Sequence, residues 1–307
     1  MRTHSAVISC IFGYTLAHGV VTKITGANGV EMPGLSVADG TPRDCSSNGC
    51  GSQADTAIIR DSDIQSGAAG PLGRTQGGGP IDAAQMIKVF MGTANAATAP
   101  QNSASSGVGQ EDNIGATTAA VGGGKRGNKG RRQLLGGLAG LLGGGGGGTD
   151  AQGSQSTGPP ETMVKTTAGT GAQKGLPTAN EDGTVDLTFR QINQDGAGPL
   201  EAMVDGTSGG TEMSAFQEAE VVQDVPGLVA GLSAATMTDF PVKVQMPHGM
   251  TCDATVGGAQ NVCVVRVRNN TPAGPFGGSA AFTQTAAARK RAIEYRIKMR
   301  KARGVST

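Results

Sequence analysis

Two histidines are the residues of this sequence best suited to bind a metal ion. Residues 1–17 have the pattern of a secretory signal peptide, with a basic start, an apolar stretch and the small residue Ala17 at the expected cleavage site. Cleavage there leaves His18 as the first residue, with a free α-amine beside its imidazole. An amine and an imidazole on one residue can chelate a metal ion, and a second imidazole completes a T-shaped copper site with three nitrogens. The chain has three histidines, and His4 leaves with the signal peptide, so His248 is the predicted second ligand.

Two further side chains are candidates for the surroundings of this copper site. Residues 279–285 are predicted to form a strand in which Phe282 and Gln284 lie on the same side. Phe282 is the candidate axial aromatic residue of the metal site, and Gln284 is a candidate hydrogen-bond partner of a ligand. The competing interpretations are that Phe282 is an ordinary core residue and His248 an ordinary surface histidine. The sequence leaves both open.

Other catalytic arrangements find less support in the sequence. A serine nucleophile would have to use His248 as its base, and a zinc site would need more histidines or free thiols than the mature chain has. Several aspartates are close together in the first third of the chain, but no spacing marks two of them as the acid and base of a glycoside hydrolase. These aspartates are Asp44, Asp55, Asp61, Asp63 and Asp82.

The cysteines indicate an oxidising compartment. Four of the five cysteines follow the predicted cleavage site, and an even number suggests two disulfides. Three pairings are possible. Closeness along the chain favours Cys45 with Cys50 and Cys252 with Cys263, each as a staple of a loop. Together with the signal peptide, these cysteines predict a secreted, extracellular protein.

Charge and hydropathy limit the partners. The formal net charge of +1 gives no reason to expect a nucleic-acid partner, and no later segment has the 18 or so continuous apolar residues of a transmembrane helix. Asn269 precedes Asn270 and Thr271 and is therefore a candidate glycosylation acceptor. Basic pairs ending at Arg126 and Arg132 are candidate processing sites, with an exposed linker as the alternative.

The order of segments predicts a mainly β protein, an antiparallel β-sandwich of the immunoglobulin or fibronectin type. A first part of the sandwich is expected in residues 18–91, a low-complexity, disordered insertion rich in glycine in 92–180, and a second part of the sandwich in 181–285. Residues 286–307 are a basic tail, predicted to be exposed and partly disordered, with binding to a membrane surface or an acidic polymer as the alternative. Residues 83–91 fit a short helix and a buried strand equally well. The predicted strands cover 20–24, 185–192, 220–225, 240–246, 262–268 and 279–285.

Three long motifs resemble those of a known family. They are residues 39–56 (DGTPRDCSSNGCGSQADT), 193–199 (NQDGAGP) and 268–278 (RNNTPAGPFGG). They look like the motifs of the fungal appressorium-specific, Egh-type (Mas-type) secreted virulence proteins. The resemblance covers residues 18–284 apart from the insertion. It implies a secreted fungal protein produced around host penetration, for which no reaction is assigned.

A second, more distant resemblance is to the lytic polysaccharide monooxygenases. It rests on the mature start at His18, the segment MPHGMTC around His248, and the RVRNN segment that follows. It implies a monooxygenase-like β-sandwich and copper-dependent oxidative cleavage of cell-wall polysaccharide. In those enzymes the second histidine usually comes earlier, and exposed aromatic residues often contact the polymer. The mature chain has no tryptophan and only one tyrosine, Tyr295.

Three functions follow from these patterns. The first is a secreted virulence or interaction protein, with copper at the N-terminal histidine and no established catalysis, whose partners would be host or fungal cell-wall polysaccharide or a host surface protein. The second is a copper-dependent, monooxygenase-like enzyme that uses His18 and His248. The third is a structural cell-wall protein, with the insertion and the basic tail as tethers. The lack of aromatic residues favours the first function over the second, and whether the protein is an enzyme stays open.

Overall fold

The computed structural model describes residues 18–46, 48–100, 152–228, 231–271 and 274–302. Within these ranges the chain forms one hydrogen-bonded arrangement of short strands with five helices around it. The strands are β1 (Gly19–Thr25), β2 (Glu31–Pro33), β3 (Ala57–Ile58), β4 (Arg74–Thr75), β5 (Gly79–Pro80), β6 (Ser154–Gln155), β7 (Thr184–Gln191), β8 (Glu201–Asp205), β9 (Phe216–Gln223), β10 (Thr238–Gln245), β11 (Ala254–Val256), β12 (Ala259–Arg268) and β13 (Phe276–Phe282). The helices are α1 (Asp61–Ser66), α2 (Ala83–Phe90), α3 (Met163–Thr167), α4 (Thr170–Lys174) and α5 (Ala286–Ala302).

The strands form a single antiparallel sheet that curls over itself. Their main order is β2-β1-β7-β10-β9-β8-β12-β13-β3-β4-β5, and β1 packs against β13 although the two are far apart in this order. The backbones approach closely where β1 and β13 meet, because a Cβ added at Gly278 would lie 2.7 Å from the backbone nitrogen of Val21. The predicted mainly β, antiparallel fold is therefore confirmed, and the two layers are opposite parts of one curled sheet.

The alternation of apolar and polar residues places the core between these layers. Leu187 and Phe189 of β7 are buried and pair across the ladder with Val242 and Phe240 of β10. Such cross-strand pairs of aromatic and aliphatic side chains stabilise neighbouring strands in addition to the burial of their surface. The same core contains residues of β1 from the start of the chain and of β12 and β13 from its end, so the predicted assembly from two separated parts is confirmed.

Several strand limits differ from the prediction. Residues 279–285 were expected as a strand, but β13 spans Phe276–Phe282, because the glycines at 277 and 278 pack inside the sheet and do not end it. Likewise β9 begins at Phe216, earlier than expected. The sequence analysis missed β8 (Glu201–Asp205), which pairs with β9 and β12.

The segment that fitted both a helix and a strand is helix α2. The side chain of Asp82 accepts a hydrogen bond from the backbone nitrogen of Ala84 (2.9 Å), which is a standard N-terminal helix cap. One face of the helix is buried through Met86, Ile87 and Phe90. The capping aspartate decides against the strand.

The predicted disordered insertion, residues 92–180, includes structured residues at both of its ends. Residues 101–151, which include the candidate processing sites, lie outside the described residues. Residues 92–100 and 152–180 do have structure: α3 packs on β2, and Val164 and Leu176 are buried in the core. The carboxylate of Asp39 accepts hydrogen bonds from the backbone nitrogens at 164 and 165 (3.0 and 2.9 Å) and so holds α3 in place. Single apolar residues among many threonines and glycines gave too weak a pattern to show these helices.

Both predicted disulfides are present, Cys45–Cys50 and Cys252–Cys263. The predicted tail differs from the expectation of an exposed, partly disordered segment, because residues 286–302 form the continuous helix α5, whose first turn contains the buried residue Ala288. No helix in the described ranges combines the length and the apolar character needed to cross a bilayer.

Candidate functional site

His18 lies immediately before β1 and is almost completely buried. Its ring packs on the ring of Phe276, with 4.5 Å between the centroids and 30° between the planes. Its carbonyl oxygen accepts a hydrogen bond from the backbone nitrogen of Ile192 (2.9 Å), which extends the pairing of β1 with β7. The sheet therefore holds the backbone of His18, and an aromatic side chain holds its ring.

The two nitrogens that could chelate a metal face one side chain. The backbone nitrogen of His18 donates a hydrogen bond to Oδ1 of Asn193 (2.6 Å), and Nδ1 of its ring lies 3.5 Å from Nδ2 of the same amide. The two nitrogens thus converge on the position of the Asn193 amide. A metal ion chelated by both atoms would lie between them and the Asn193 amide, and Asn193 itself is only partly buried.

The loop that carries Asn193 fits closely around His18. A Cβ added at Gly196 would lie 1.9 Å from the carbonyl oxygen of His18, so only glycine can stand at this position without moving the backbone. Buried Asn269 holds the far side of the loop. Its Nδ2 donates to the carbonyl oxygen of Ala197 (3.2 Å), and its Oδ1 accepts from the backbone nitrogen of Phe276 (3.0 Å). Asn269 therefore joins the loop to the strand that carries the aromatic ring. Asn269 is also the candidate glycosylation acceptor, but its side chain is buried and therefore inaccessible in the folded protein.

His248 does not lie near His18. Strand pairing places Gly19 opposite Gln191 and Gln191 opposite Thr238, at one end of β7 and β10. His248 follows the other end of β10, three residues after Gln245. Seven residues of extended strand separate these ends, which is about 23 Å at about 3.3 Å per residue. The structure therefore does not bring the two imidazoles to one metal ion within a chain.

The other predicted neighbours of the metal are not at His18 either. Phe282 is fully buried in the core and pairs with Cys263 of β12. Gln284 supports the loop after β10: its Oε1 accepts from the backbone nitrogen of Cys252 (3.1 Å) and its Nε2 donates to the carbonyl oxygen of Met250 (3.0 Å). The aromatic residue at His18 is Phe276, which the sequence analysis missed although it lies within the 268–278 motif.

The clustered aspartates have mainly structural partners. Asp61 binds Arg268, Asp63 binds Arg74, and Asp82 caps α2, while Asp44 is exposed. Across the described ranges, no group of three or more His, Cys, Asp or Glu side chains is arranged to hold a metal ion.

A further pattern, Gly-x-Ser-x-Gly at 206–210, forms the turn after β8. There Ser208 donates its hydroxyl hydrogen to Asp205 (2.5 Å), so the turn lacks the serine–histidine pair of a hydrolase.

The geometry around His18 joins two of the three motifs noted in the sequence, 193–199 and 268–278. A comparison with protein families matches residues 16–277 to the Egh16-like virulence factors. The chain belongs to this family. It is 52% identical to the appressoria-specific virulence factor GAS2 of Pyricularia oryzae over all of this chain and 98% of that protein. It is 36% identical to the appressoria-specific virulence factor GAS1 of the same fungus, over 45% of this chain and 55% of that one. No solved structure matches the chain.

In this Egh16-like chain the longest motif, 39–56, builds a buried ion-pair network. The guanidinium of Arg43 contacts the carboxylates of Asp55 (2.6 Å) and Glu161 (3.0 Å). Burial opposes the charge of Arg43, but attraction and hydrogen bonds from the two carboxylates outweigh it, so the pKa of Arg43 is raised. Arg190 donates to the carbonyl oxygen of Arg43 and pairs with Asp239 (3.0 Å). The motif thereby connects the loop before β3 to β7 and β10, beside the end of the sheet that holds His18.

Proposed function

We propose that this Egh16-like chain is a secreted protein that acts at host penetration and that its N-terminal histidine binds copper. Its similarity to a named appressoria-specific virulence factor along its full length carries the first part of this proposal. The pattern of residues 1–17 and the two disulfides support secretion, because disulfides persist in oxidising compartments.

The convergence of two nitrogens of His18 on one amide supports the second part. In the full chain the first of these atoms is a peptide nitrogen, and cleavage after Ala17 would make it an amine that can bind a metal. The residues present fit a two-nitrogen chelate with the Asn193 amide beside it, and they do not fit a brace with His248. Copper bound there would supply a redox-active ion to a protein that has few other reactive groups. Asn193 would turn aside or contribute its oxygen, while Phe276 would keep the imidazole in place.

Copper(II) titration of the secreted, cleaved protein by calorimetry tests the metal site. We expect one ion per chain, loss of that binding in His18→Ala, and unchanged binding in His248→Ala, which removes the other mature imidazole. Acetylation of the N-terminus of the cleaved protein should also abolish the site, because the acetylated nitrogen of His18 is an amide nitrogen with no amine beside it. Equal copper binding by the acetylated protein and by the cleaved protein with a free amine would contradict the chelate.

N-terminal sequencing and genetic complementation test the other part. The secreted protein should begin at His18. Expression of the full chain in a Pyricularia oryzae strain that lacks GAS2 should restore its infection phenotype, whereas the chain without residues 2–17 should not. Full restoration by the chain without this segment would contradict the proposal that the protein acts outside the cell.

A further inference from the structure

Helix α5 concentrates positive charge on one part of the surface. Seven of its 17 residues are lysine or arginine and one is glutamate. The whole chain has a formal net charge of +1, so the remainder of the protein is net negative. The helix is therefore a local basic surface on an otherwise acidic protein.

The first part of α5 is firmly attached to the loop that carries His248. Arg289 donates to the carbonyl oxygen of Cys252 (2.6 Å) and pairs with Asp253 (2.6 Å). The ring of Tyr295 lies 5.7 Å from that of His248. A Cβ added at Gly249 would be 3.0 Å from Tyr295 and from Arg296, so the loop backbone touches the helix. These contacts keep the basic surface at a fixed position relative to the loop.

The last part of α5 presents cations that the fold does not use. Lys298, Arg300 and Lys301 are exposed, and within the described residues none of them forms an ion pair. An ion pair with a partner molecule would therefore replace only their contacts with water.

Two shallow clefts lie on either side of the His248 loop, and α5 borders both. Their volumes are about 180 and 210 Å³. These are smaller than the roughly 300–1,000 Å³ of sites that enclose a whole drug-sized ligand. Each cleft is therefore of a size to hold a single unit of a polymer whose other units continue across the surface.

The linings of the clefts combine cations with hydrogen-bond acceptors. One cleft has Arg296 together with Asp253, and the other has Arg291 and Tyr295 together with Glu181 and Asp182. A sugar acid has one carboxylate for an arginine and several hydroxyl groups that can donate to carboxylates. The diester phosphates of a nucleic acid have no hydroxyl group that could donate to those carboxylates.

The exposed apolar residues of the helix do not favour a membrane. Ile293 and Ile297 are 38% and 48% exposed and lie one turn apart. Lys290, Glu294 and Lys301 flank them on the same side of the helix, so the apolar surface is only two residues long. A helix that lies in a lipid interface has a continuous apolar face.

We propose that α5 and the loop 246–251 bind an acidic polysaccharide, with uronic-acid units in the two clefts and further carboxylates on Lys298, Arg300 and Lys301. This proposal does not rest on copper binding by His18. Salt should weaken the binding strongly, because the exposed cations are screened over about 10 Å at 0.1 M salt and about 3 Å at 1 M.

Titration of the full-length mature protein with polygalacturonate tests the proposal. The triple variant Lys298→Gln, Arg300→Gln, Lys301→Gln should bind about tenfold more weakly, since each exposed ion pair contributes a few-fold. The matched control replaces three exposed lysines elsewhere, Lys88, Lys165 and Lys174, with glutamine. It removes the same charge and should change the affinity by less than about twofold.

A second variant tests the clefts separately from the charge. Ala292 lines the larger cleft, and Ala292→Gln fills it without changing the net charge. It should weaken binding of polygalacturonate and leave binding of poly-L-glutamate unchanged, while thermal unfolding confirms that the variant is folded. Poly-L-glutamate, duplex DNA or phosphatidylserine vesicles binding as tightly as polygalacturonate would overturn the assignment to a polysaccharide. Absence of polygalacturonate binding, or an unchanged affinity in the triple variant, would overturn the site itself.

Discussion

Substitution of Asp55 by asparagine tests the network built by the longest family motif. The side chains of Arg43 and Asp55 are 7% and 0% exposed, and two of their atom pairs lie 3.1 and 2.6 Å apart. Asp55→Asn removes the charge of the acid, keeps its shape, and leaves the buried guanidinium facing a neutral amide. The variant therefore isolates the charge of a single buried partner.

The expected loss of stability follows from burial and from the partner that stays. Removing one partner of a buried ion pair costs about 3–5 kcal/mol, because the other charge remains without water. Glu161 still contacts Arg43 at 3.0 Å, so the lower end, about 3 kcal/mol, is expected. For a domain of this size, this corresponds to a fall in Tm of about 6–12 °C.

Thermal and urea unfolding followed by circular dichroism measure this loss. The matched control is Asp63→Asn, which removes the same charge from an ion pair with Arg74 that is longer, at 3.3 Å, and 26% and 21% exposed. It should cost no more than about 1 kcal/mol. Adding both Arg43→Met and Glu161→Gln to Asp55→Asn should recover part of the stability, because all three charges of the buried network are then gone. If Asp55→Asn costs no more than the control, the reasoning from burial is wrong.

Three further predictions concern the loop around His18 and a buried carboxylate. Gly196→Ala should destabilise the protein by about 1–3 kcal/mol and weaken copper binding, since its Cβ would collide with the carbonyl oxygen of His18. Thermal unfolding and copper titration of this variant test both effects. Peptide mapping by mass spectrometry of the secreted protein should find Asn269 without a glycan, because its side chain is buried and hydrogen-bonded. Burial raises the pKa of Asp205, but hydrogen bonds from Ser208, Thr207 and the backbone of the turn outweigh this and lower it. The contribution of ionised Asp205 to stability is present above about pH 3.9 and is lost as the pH falls through the lower pKa of the folded state. In Asp205→Asn, the free energy of unfolding should therefore decrease less between about pH 5 and 2 than it does in the unmodified protein.

Local patterns were sufficient to predict much of the sheet. The alternation in residues 185–192 and 240–246 identified β7 and β10, because each strand has one face in the core. The disulfide pairs were predictable since each joins cysteines that are near neighbours along the chain, 5 and 11 residues apart. Helices α3 and α4 were not predictable, because their apolar residues are few and gain their burial only from distant strands.

The sequence by itself determined the chemical inventory of the protein: the cleavage pattern that would expose His18, the two remaining imidazoles and thiol pairs, and the motifs of the family. Only the tertiary structure decided which of these groups meet. The antiparallel register placed Asn193 and Phe276 around His18 and put His248 beyond the opposite end of β10. Which strands become neighbours depends on contacts between residues far apart in the chain, which local patterns do not record, whereas strand type and disulfide pairing depend on residues close together.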